Sequence, residues 1–247
     1  MTLLDADLME RRNVVGEDTY DLLAAIEDAF GINFQDYGAI LGKSVLELAE
    51  HIANELPHPK ADRCLSSVAF YKVRRAFQDQ VGTIRSKVRP GTSLASLLPW
   101  TKRRDHWRRV QEQLALDLPA LTIPWWLVAS SLGMVVALSL ALSAATKAVI
   151  GSGLNVMNVV ILSFCLWIFV TRLFLPLGKE IPKGCETFGG LVKIVLARNY
   201  AAFASRYGNA PLDEVAALLC QLIAVEVGLN PVDVTPDTRI PSDLDIE

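Results

Sequence analysis

The sequence is poor in histidine and cysteine, with three of the first and four of the second among its 247 residues. The histidines, His51, His58 and His106, do not share the spacing of a metal site, and no two cysteines form a C-x-x-C pair. A P-loop, a G-x-G-x-x-G fingerprint and a G-x-S-x-G elbow are also missing. We therefore predict no metal, no cofactor and no catalytic residues, and we expect that the protein is not an enzyme.

An excess of positive charge is missing too, since the formal net charge is -3. This balance predicts no binding to nucleic acid. The first residues, MTLLDADLMERR, contain too short an apolar run for a secretory signal peptide. We expect the cysteines to be reduced, as in a protein whose soluble parts face the cytoplasm.

Long hydrophobic runs are present, and they lie in the middle of the chain. Residues 125–146 carry no charge, and residues 154–171 form a second uncharged stretch. A bilayer core needs roughly 20 apolar helical residues. We therefore predict a two-helix transmembrane hairpin within residues 124–177, joined by a link at residues 147–153. Because the second run is slightly short, a buried core hairpin is the alternative.

Cations flank this hairpin on the outer side of each helix, whereas the link between the helices carries only Lys147. The flanking cations are Lys102, Arg103, Arg104, Arg108 and Arg109 before the first run, and Arg172, Lys179 and Lys183 after the second. The positive-inside rule then predicts a multi-pass protein of the inner (plasma) membrane with both termini in the cytoplasm. The lipid bilayer is thus a predicted partner.

Two amphipathic helices are predicted near the N-terminus. The first spans residues 18–30 and ends at Gly31. The second follows Ser44, where Glu47 completes a capping box. The first contains D-L-x-x-x-I-E-D-x-F-G-I and the second contains S-V-x-E-L-A-x-x-I. These patterns resemble helix II and the last helix of acyl carrier proteins, so residues 14–54 look like the second half of such a module. The family attaches phosphopantetheine to a serine at the start of helix II. The corresponding position here is Gly16, which has no hydroxyl group.

Residues 64–121 repeat the family's pattern as a first helix, a long loop and a second helix, which is basic here. The serine position falls at residues 100–102, which read WTK. After the hairpin, residues 185–207 read either as the last helix of this second module or as a plain juxtamembrane helix. The spacing of Ser44, Val45, Leu48, Ala49 and Ile52 returns there as Thr187, Phe188, Leu191, Val192 and Val195.

The C-terminal residues 211–247 contain the clearest internal repeat. Residues 227–244 align without a gap with residues 81–98. Seven pairs are identical: Val81/Val227, Gly82/Gly228, Val88/Val234, Pro90/Pro236, Thr92/Thr238, Ser96/Ser242 and Leu98/Leu244. The tail therefore resembles a first half-module. We expect it to pack with residues 14–54 as one circularly permuted unit; exchange of halves between chains, giving a homo-oligomer, is the alternative.

The resemblance implies an all-α protein of acyl-carrier-like helical bundle modules plus the transmembrane hairpin. Since the serine is absent, we expect a binding or scaffold component without phosphopantetheine. A protein partner would bind the acidic surface of helix II, which is otherwise a plain solvated face: Glu17, Asp18, Asp21, Glu27 and Asp28. Two alternatives stay open. One is a true acyl or peptidyl carrier modified at Ser96 or Ser242. The other is a small membrane assembly or transport component with small residues at every fourth position: Ala129, Gly133, Ala137, Ala141 and Ala145.

Overall fold

Helices account for every regular element in the part of the chain that the computed structural model describes, which comprises residues 17–56, 64–122, 125–150 and 179–244 and five residues between 161 and 168. The predicted all-α class is confirmed. The helices are α1 (Glu17–Phe30), α2 (Val45–Glu55), α3 (Leu65–Val81), α4 (Leu94–Leu97), α5 (Arg103–Leu114), α6 (Trp125–Ile150), α7 (Phe188–Arg198), α8 (Tyr200–Tyr207) and α9 (Leu212–Val227). A single 3₁₀ turn, Arg85–Lys87, lies in the loop after α3.

Helix α1 ends where its sequence predicts. Gly31 has a φ of +67°, a left-handed conformation that glycine adopts without strain. There is also a steric reason for glycine at this position, because an added Cβ would lie 2.8 Å from the Cβ of Ala201. Gly31 therefore both terminates α1 and allows the later part of the chain to approach it closely.

The capping box at the start of α2 is confirmed. The Ser44 hydroxyl accepts a hydrogen bond from the Glu47 N–H at 3.2 Å, and the Glu47 carboxylate accepts one from the Ser44 N–H at 2.8 Å. These bonds satisfy two N–H groups that would otherwise lack partners at the helix end. The bond from the Ser44 backbone lowers the pKa of the Glu47 carboxyl.

We expect Ser44→Ala to lower the free energy of unfolding by about 1 kcal/mol, the usual cost of losing an N-cap. Urea unfolding should show this loss, whereas Glu50→Ala, at an exposed position of the same helix, should change little. Because the pKa of Glu47 is lowered in the folded chain, its contribution is present above its ordinary pKa of 4.5 and is lost as the pH falls below that value. Equal stability of the wild type and Ser44→Ala at pH 7 would contradict the role of the cap.

Two groups of three helices repeat the same packing. In module A, defined as α9, α1, α2 and the loop 228–244, α9 packs on α1 and α2. In module B, defined as α3, α5, α7 and the loop 82–98, α3 packs on α5 and α7. The helices correspond as α9 to α3, α1 to α5 and α2 to α7.

The long loop of each module is pinned to the helix cap opposite it by equivalent main-chain bonds. The N–H of Val45 donates to the Thr238 carbonyl at 2.9 Å, and the N–H of Phe188 donates to the Thr92 carbonyl at 2.8 Å. The next pair is the same: Leu46 to Pro236 at 2.8 Å, and Gly189 to Pro90 at 2.7 Å. Isolated antiparallel bridges join Ser44 to Arg239 and Ser93 to Thr187. The internal sequence repeat is therefore also a repeat of three-dimensional geometry.

The described residues up to Pro119 and from Pro182 onward form one compact unit, so the two modules share a core. Helix α7 contacts α9 and α1 as well as α3, and α8 contacts α1, α3 and α7. The ring centres of Phe30 and Tyr200 are 4.8 Å apart. Arg198 pairs with Asp117 at 3.1 Å and with Glu226 at 2.8 Å, which ties module B to module A.

Residues 185–207 do not form one continuous helix, because the helix breaks at Asn199 between α7 and α8. The Asn199 amide donates to the Val195 carbonyl at 2.7 Å and to the Asp117 carbonyl at 2.8 Å. Its side chain thus competes for a carbonyl of the preceding turn, which explains the break.

The second compact unit spans Ala120–Ile181 and contains α6. Its ends are joined by two hydrogen bonds between the backbones of Thr122 and Glu180, both 3.0 Å long. The first predicted hydrophobic helix is present as α6, but it continues to Ile150, so placing the whole of residues 147–153 in the link was wrong. Lys147, Ala148, Val149 and Ile150 contain no helix breaker before Gly151. Residues 151–160 and most of the second predicted helix lie outside the described residues.

The described residues of the alanine and glycine series in α6, which indicated a surface for close packing against another helix, do not form its buried side. Ser131, Val135 and Ser139 are buried, whereas Ala129, Gly133, Ala137 and Ala141 are exposed. Large apolar side chains also face outward: Leu132, Met134, Val136 and Leu140. Over the residues that the structure describes, none of the helices has the combined length and apolar content required to cross a bilayer.

Candidate functional site

The predicted acidic surface lies on α1, in module A. Glu17, Asp18, Asp21 and Asp28 are exposed there. Glu17, Asp21 and Asp28 are four and seven residues apart, which places them along one side of the helix. A cleft of about 440 Å³ lies beside the first turns of α1, lined by Asp18, Asp21, Leu22, Glu226 and Val227. Four of the five predicted acidic residues are thus accessible to a partner.

Glu27 has a structural role within the chain. Its carboxylate accepts a hydrogen bond from the Phe34 N–H and another from the Tyr37 hydroxyl at 2.6 Å. Phe34 and Tyr37 are both buried. Glu27 therefore fixes the loop that follows α1. Its helical spacing with the other acidic residues does not predict this structural role.

Each of the four buried residues of α5 has a buried counterpart in α1: Thr19/Arg103, Leu23/Trp107, Ile26/Val110 and Phe30/Leu114. One turn before these residues, the same alignment of the sequence pairs Gly16 with Trp100. Gly16 lies outside the described residues. Trp100 is half-exposed, and its ring centre lies 5.2 Å from the guanidinium carbon of Arg103. The hydroxyl nearest to Gly16 in the sequence belongs to Thr19, which is only 1% exposed. A modifying enzyme has no access to it.

Ser96 and Ser242 occupy equivalent positions of the two loops, Ser96 within the short helix α4 and Ser242 in a turn. Both are exposed. The Ser96 hydroxyl donates to the Ser93 carbonyl at 2.7 Å, and the Ser242 hydroxyl lies 3.4 Å from an Asp243 oxygen. They are accessible hydroxyl groups, but they do not lie in the first turn of α1 or α5.

The four cysteines divide into two classes of accessibility. Cys64 and Cys165 are exposed, whereas Cys185 and Cys220 are buried. Burial raises the pKa of the Cys185 thiol to about 12, with a further contribution from the nearby Glu186 carboxylate. Burial also raises the pKa of Cys220 to about 11. Since the thiolate is the reactive form, both buried thiols stay protonated at neutral pH.

We expect iodoacetamide at pH 8 to alkylate Cys64 rapidly and to leave Cys185 and Cys220 unmodified in the folded protein. Peptide mass spectrometry after a timed reaction would measure this directly. The same reaction in denaturant serves as the control, and all three should then react. Fast alkylation of Cys185 in the native chain would show that the core around α7 is open.

Sequence reasoning missed a basic depression on module B. It has a volume of about 490 Å³ and is lined by Arg74, Ile84, Arg85, Ser86, Val88 and Arg89. Arg74 comes from α3, and the other five residues come from the loop after it. The cations are visible in the sequence, but their meeting depends on how the loop folds back against α3.

In the described part of the chain, no cluster of three or more histidine, cysteine, aspartate or glutamate side chains could hold a metal ion. No protein-family model, curated protein or solved structure matches this chain. Its function must therefore be inferred from its own residues and geometry.

Proposed function

We propose that this chain is a membrane-anchored, acyl-carrier-like protein that acts as a binding or scaffold component and carries no phosphopantetheine. The observation that carries the proposal is the repeated packing of modules A and B, each with a long loop pinned to the cap of its last helix. The acyl carrier resemblance of the helices and the absence of a serine at Gly16 and at residues 100–102 agree with it.

Loss of the serine removes carrier chemistry but leaves the recognition surface intact. An acyl carrier needs a hydroxyl to hold its prosthetic arm, whereas binding to a partner requires only a helix surface of the right charge. The exposed acids of α1 supply such a surface to a basic protein. Binding is therefore the function that the residues can perform.

The membrane anchor is supported by the uncharged run at residues 125–146 and by the cations that flank the hairpin. Leu132, Met134, Val136 and Leu140 of α6 are each more than 40% exposed. Exposed apolar patches of this kind mark surfaces that contact lipid or another protein. The anchor would lie in the inner (plasma) membrane with both termini in the cytoplasm.

The anchor is tested by extracting membranes with alkaline carbonate and by fusing a reporter to the C-terminus. We expect the protein to stay in the pellet and the reporter to be active in the cytoplasm. Release into the supernatant would overturn the anchor, and a reporter active only outside the cytoplasm would overturn the orientation.

The missing prosthetic group is tested by incubating the full-length protein with coenzyme A and a phosphopantetheinyl transferase. Intact mass should stay unchanged, while an authentic acyl carrier protein in the same mixture gains the arm. A mass gain that Ser96→Ala or Ser242→Ala removes would instead identify a true carrier.

Partner binding is tested with a photo-crosslinking residue placed at Asp21 in cells. We expect a specific crosslinked protein that disappears when Asp18 and Asp28 are changed to lysine. The same probe at Glu50, which is exposed on α2 of the same module, is the matched control. Identical crosslinks from both positions, unaffected by the charge reversal, would leave the acidic surface as a plain solvated face.

A further inference from the structure

We propose that the basic depression of module B is a binding site for the phosphate of an anionic phospholipid headgroup. The phosphate would contact Arg74, Arg85 and Arg89, and Ile84 would contact the apolar part of the lipid next to it. The lipid assignment rests on the proposed membrane anchor, since an anchored chain is tethered to a bilayer.

Three arginines, Arg74, Arg85 and Arg89, line this depression. Guanidinium groups bind phosphate through paired N–H donors. The Arg74 guanidinium carbon lies 5.1 Å from the ring centre of Phe70 and 5.0 Å from that of Tyr71. Cation–π contact with both rings favours this position of the guanidinium group.

The three arginines lack an acidic partner in the part of the chain that the structure describes. Among the described residues, no carboxylate lies within ion-pair distance of Arg74, Arg85 or Arg89. Arg108 and Arg198 show the contrast, because both have a carboxylate partner. Repulsion between clustered cations is relieved when an anion binds, so the depression is suited to a negatively charged ligand.

Module A provides an internal comparison, because its loop has the same fold without the cations. The residues equivalent to Arg74, Ile84, Arg85, Lys87 and Arg89 are Cys220, Asn230, Pro231, Asp233 and Thr235. The Thr92 hydroxyl accepts from the Arg89 N–H at 3.0 Å, and the Thr238 hydroxyl accepts from the Thr235 N–H at 2.9 Å. Folding of the loop therefore does not require the cations.

The difference in charge extends over the first helix and the loop of each module. Residues 65–98 contain six lysines and arginines against one aspartate, whereas the equivalent residues 211–244 contain one against six aspartates and glutamates. Two copies of one local structure have thus acquired opposite charge. Contact with solvent alone does not require this difference in charge, whereas binding to ligands of different charge does require it.

The loop is held in place before any ligand binds. The Lys87 N–H donates to the Ile84 carbonyl at 2.9 Å, and the Thr92 hydroxyl donates to the Lys87 carbonyl at 2.9 Å. Val88 is fully buried beneath it. A rigid loop loses little conformational freedom on binding, which favours affinity.

A lipid explains the apolar side chains better than a soluble phosphate does. Ile84 is 62% exposed and Tyr71 is 56% exposed, and both lie next to the arginines. Tyrosine and apolar side chains beside cations are typical of surfaces that bind at the headgroup level. A soluble phosphate has no apolar part that could contact Ile84.

The test is hydrogen–deuterium exchange of the full-length protein in nanodiscs of phosphatidylcholine, with and without phosphatidylglycerol. We expect phosphatidylglycerol to slow exchange in residues 83–92 and not in the equivalent residues 229–238. Arg89→Thr combined with Arg85→Ala should abolish this protection; threonine is the residue that module A has at the position of Arg89. Arg75→Ala is the control, since Arg75 is exposed on α3 beside Arg74 but does not line the depression.

A third arm adds inorganic phosphate to protein in phosphatidylcholine nanodiscs. Equal protection by phosphate alone would overturn the lipid assignment in favour of a soluble ligand. Absence of any phosphatidylglycerol effect, or the same effect in the double variant, would overturn the site. These results are distinct from loss of the anchor, which carbonate extraction reports separately.

Discussion

A chain that ends at Ala210 should lose the cooperative unfolding of the compact unit, because α9 is the element around which module A packs. Helix α9 contacts α1, α2 and α7. It buries five large apolar side chains almost completely: Val215, Leu218, Leu219, Leu222 and Ile223. Burial of each is worth about 1.5–3 kcal/mol, so their sum is comparable with the whole stability of a typical domain, roughly 5–15 kcal/mol.

Limited proteolysis of the full chain and the truncated chain would measure this effect. We expect rapid cleavage within α1 and α2 of the truncated chain, where Leu22, Ile26, Leu48 and Ile52 lose their cover. A chain ending at Leu244 is the control and should resist protease like the wild type. Addition of a peptide of residues 211–247 should restore protection. Unchanged resistance of α1 and α2 after truncation would show that the two chain ends do not stabilise each other.

Phe188→Ala should lower the free energy of unfolding by about 3–5 kcal/mol, the usual cost of removing a fully buried aromatic side chain. Phe188 is 0% exposed, at the first turn of α7. Its ring centre lies 5.5 Å from that of Phe70 and 5.2 Å from that of Phe77, and both pairs are nearly perpendicular. Such edge-to-face contacts add to the burial term. The N–H bond to Thr92 involves the backbone and survives the substitution.

Urea unfolding followed by tryptophan fluorescence is a suitable measurement, because Trp107 is buried in the same module. Tyr71→Ala is the matched control: Tyr71 touches the same Phe70 ring at 5.7 Å but is 56% exposed. Its removal should change stability by about 0.5 kcal/mol or less. A loss for Phe188→Ala no larger than that for Tyr71→Ala would contradict the aromatic core of module B.

Much of the fold could be predicted from the sequence because it follows from short-range rules. Apolar residues at helical spacing located α1, α2, α3 and α7. The Ser44–Glu47 box and Gly31 marked a helix start and a helix end, since both act through bonds within a few residues. The gapless match of residues 81–98 and 227–244 predicted two loops of one geometry, which the equivalent bonds of Val45 and Phe188 now show.

The candidate sites were less predictable, because they depend on which surfaces the fold leaves free. Spacing along α1 placed Glu27 with the other acids, but the carboxylate is bonded to Phe34 and Tyr37. Those two residues lie in a loop whose path no local rule fixes. The depression at Arg74, Arg85 and Arg89 was missed for the same reason.

By itself, the sequence determined the helices, their caps, the central hydrophobic run and the repeat, because each depends on neighbouring residues or on identity between segments. Only the tertiary structure decided which residue types fit at equivalent positions of the two modules. Glu47 and Gly190 both occupy the third position of their helices, yet a Cβ at Gly190 would clash with the Gly184 carbonyl oxygen. The tertiary structure also brought the arginines of module B together. Contacts between residues far apart in the chain decide such features, and sequence periodicity does not encode them.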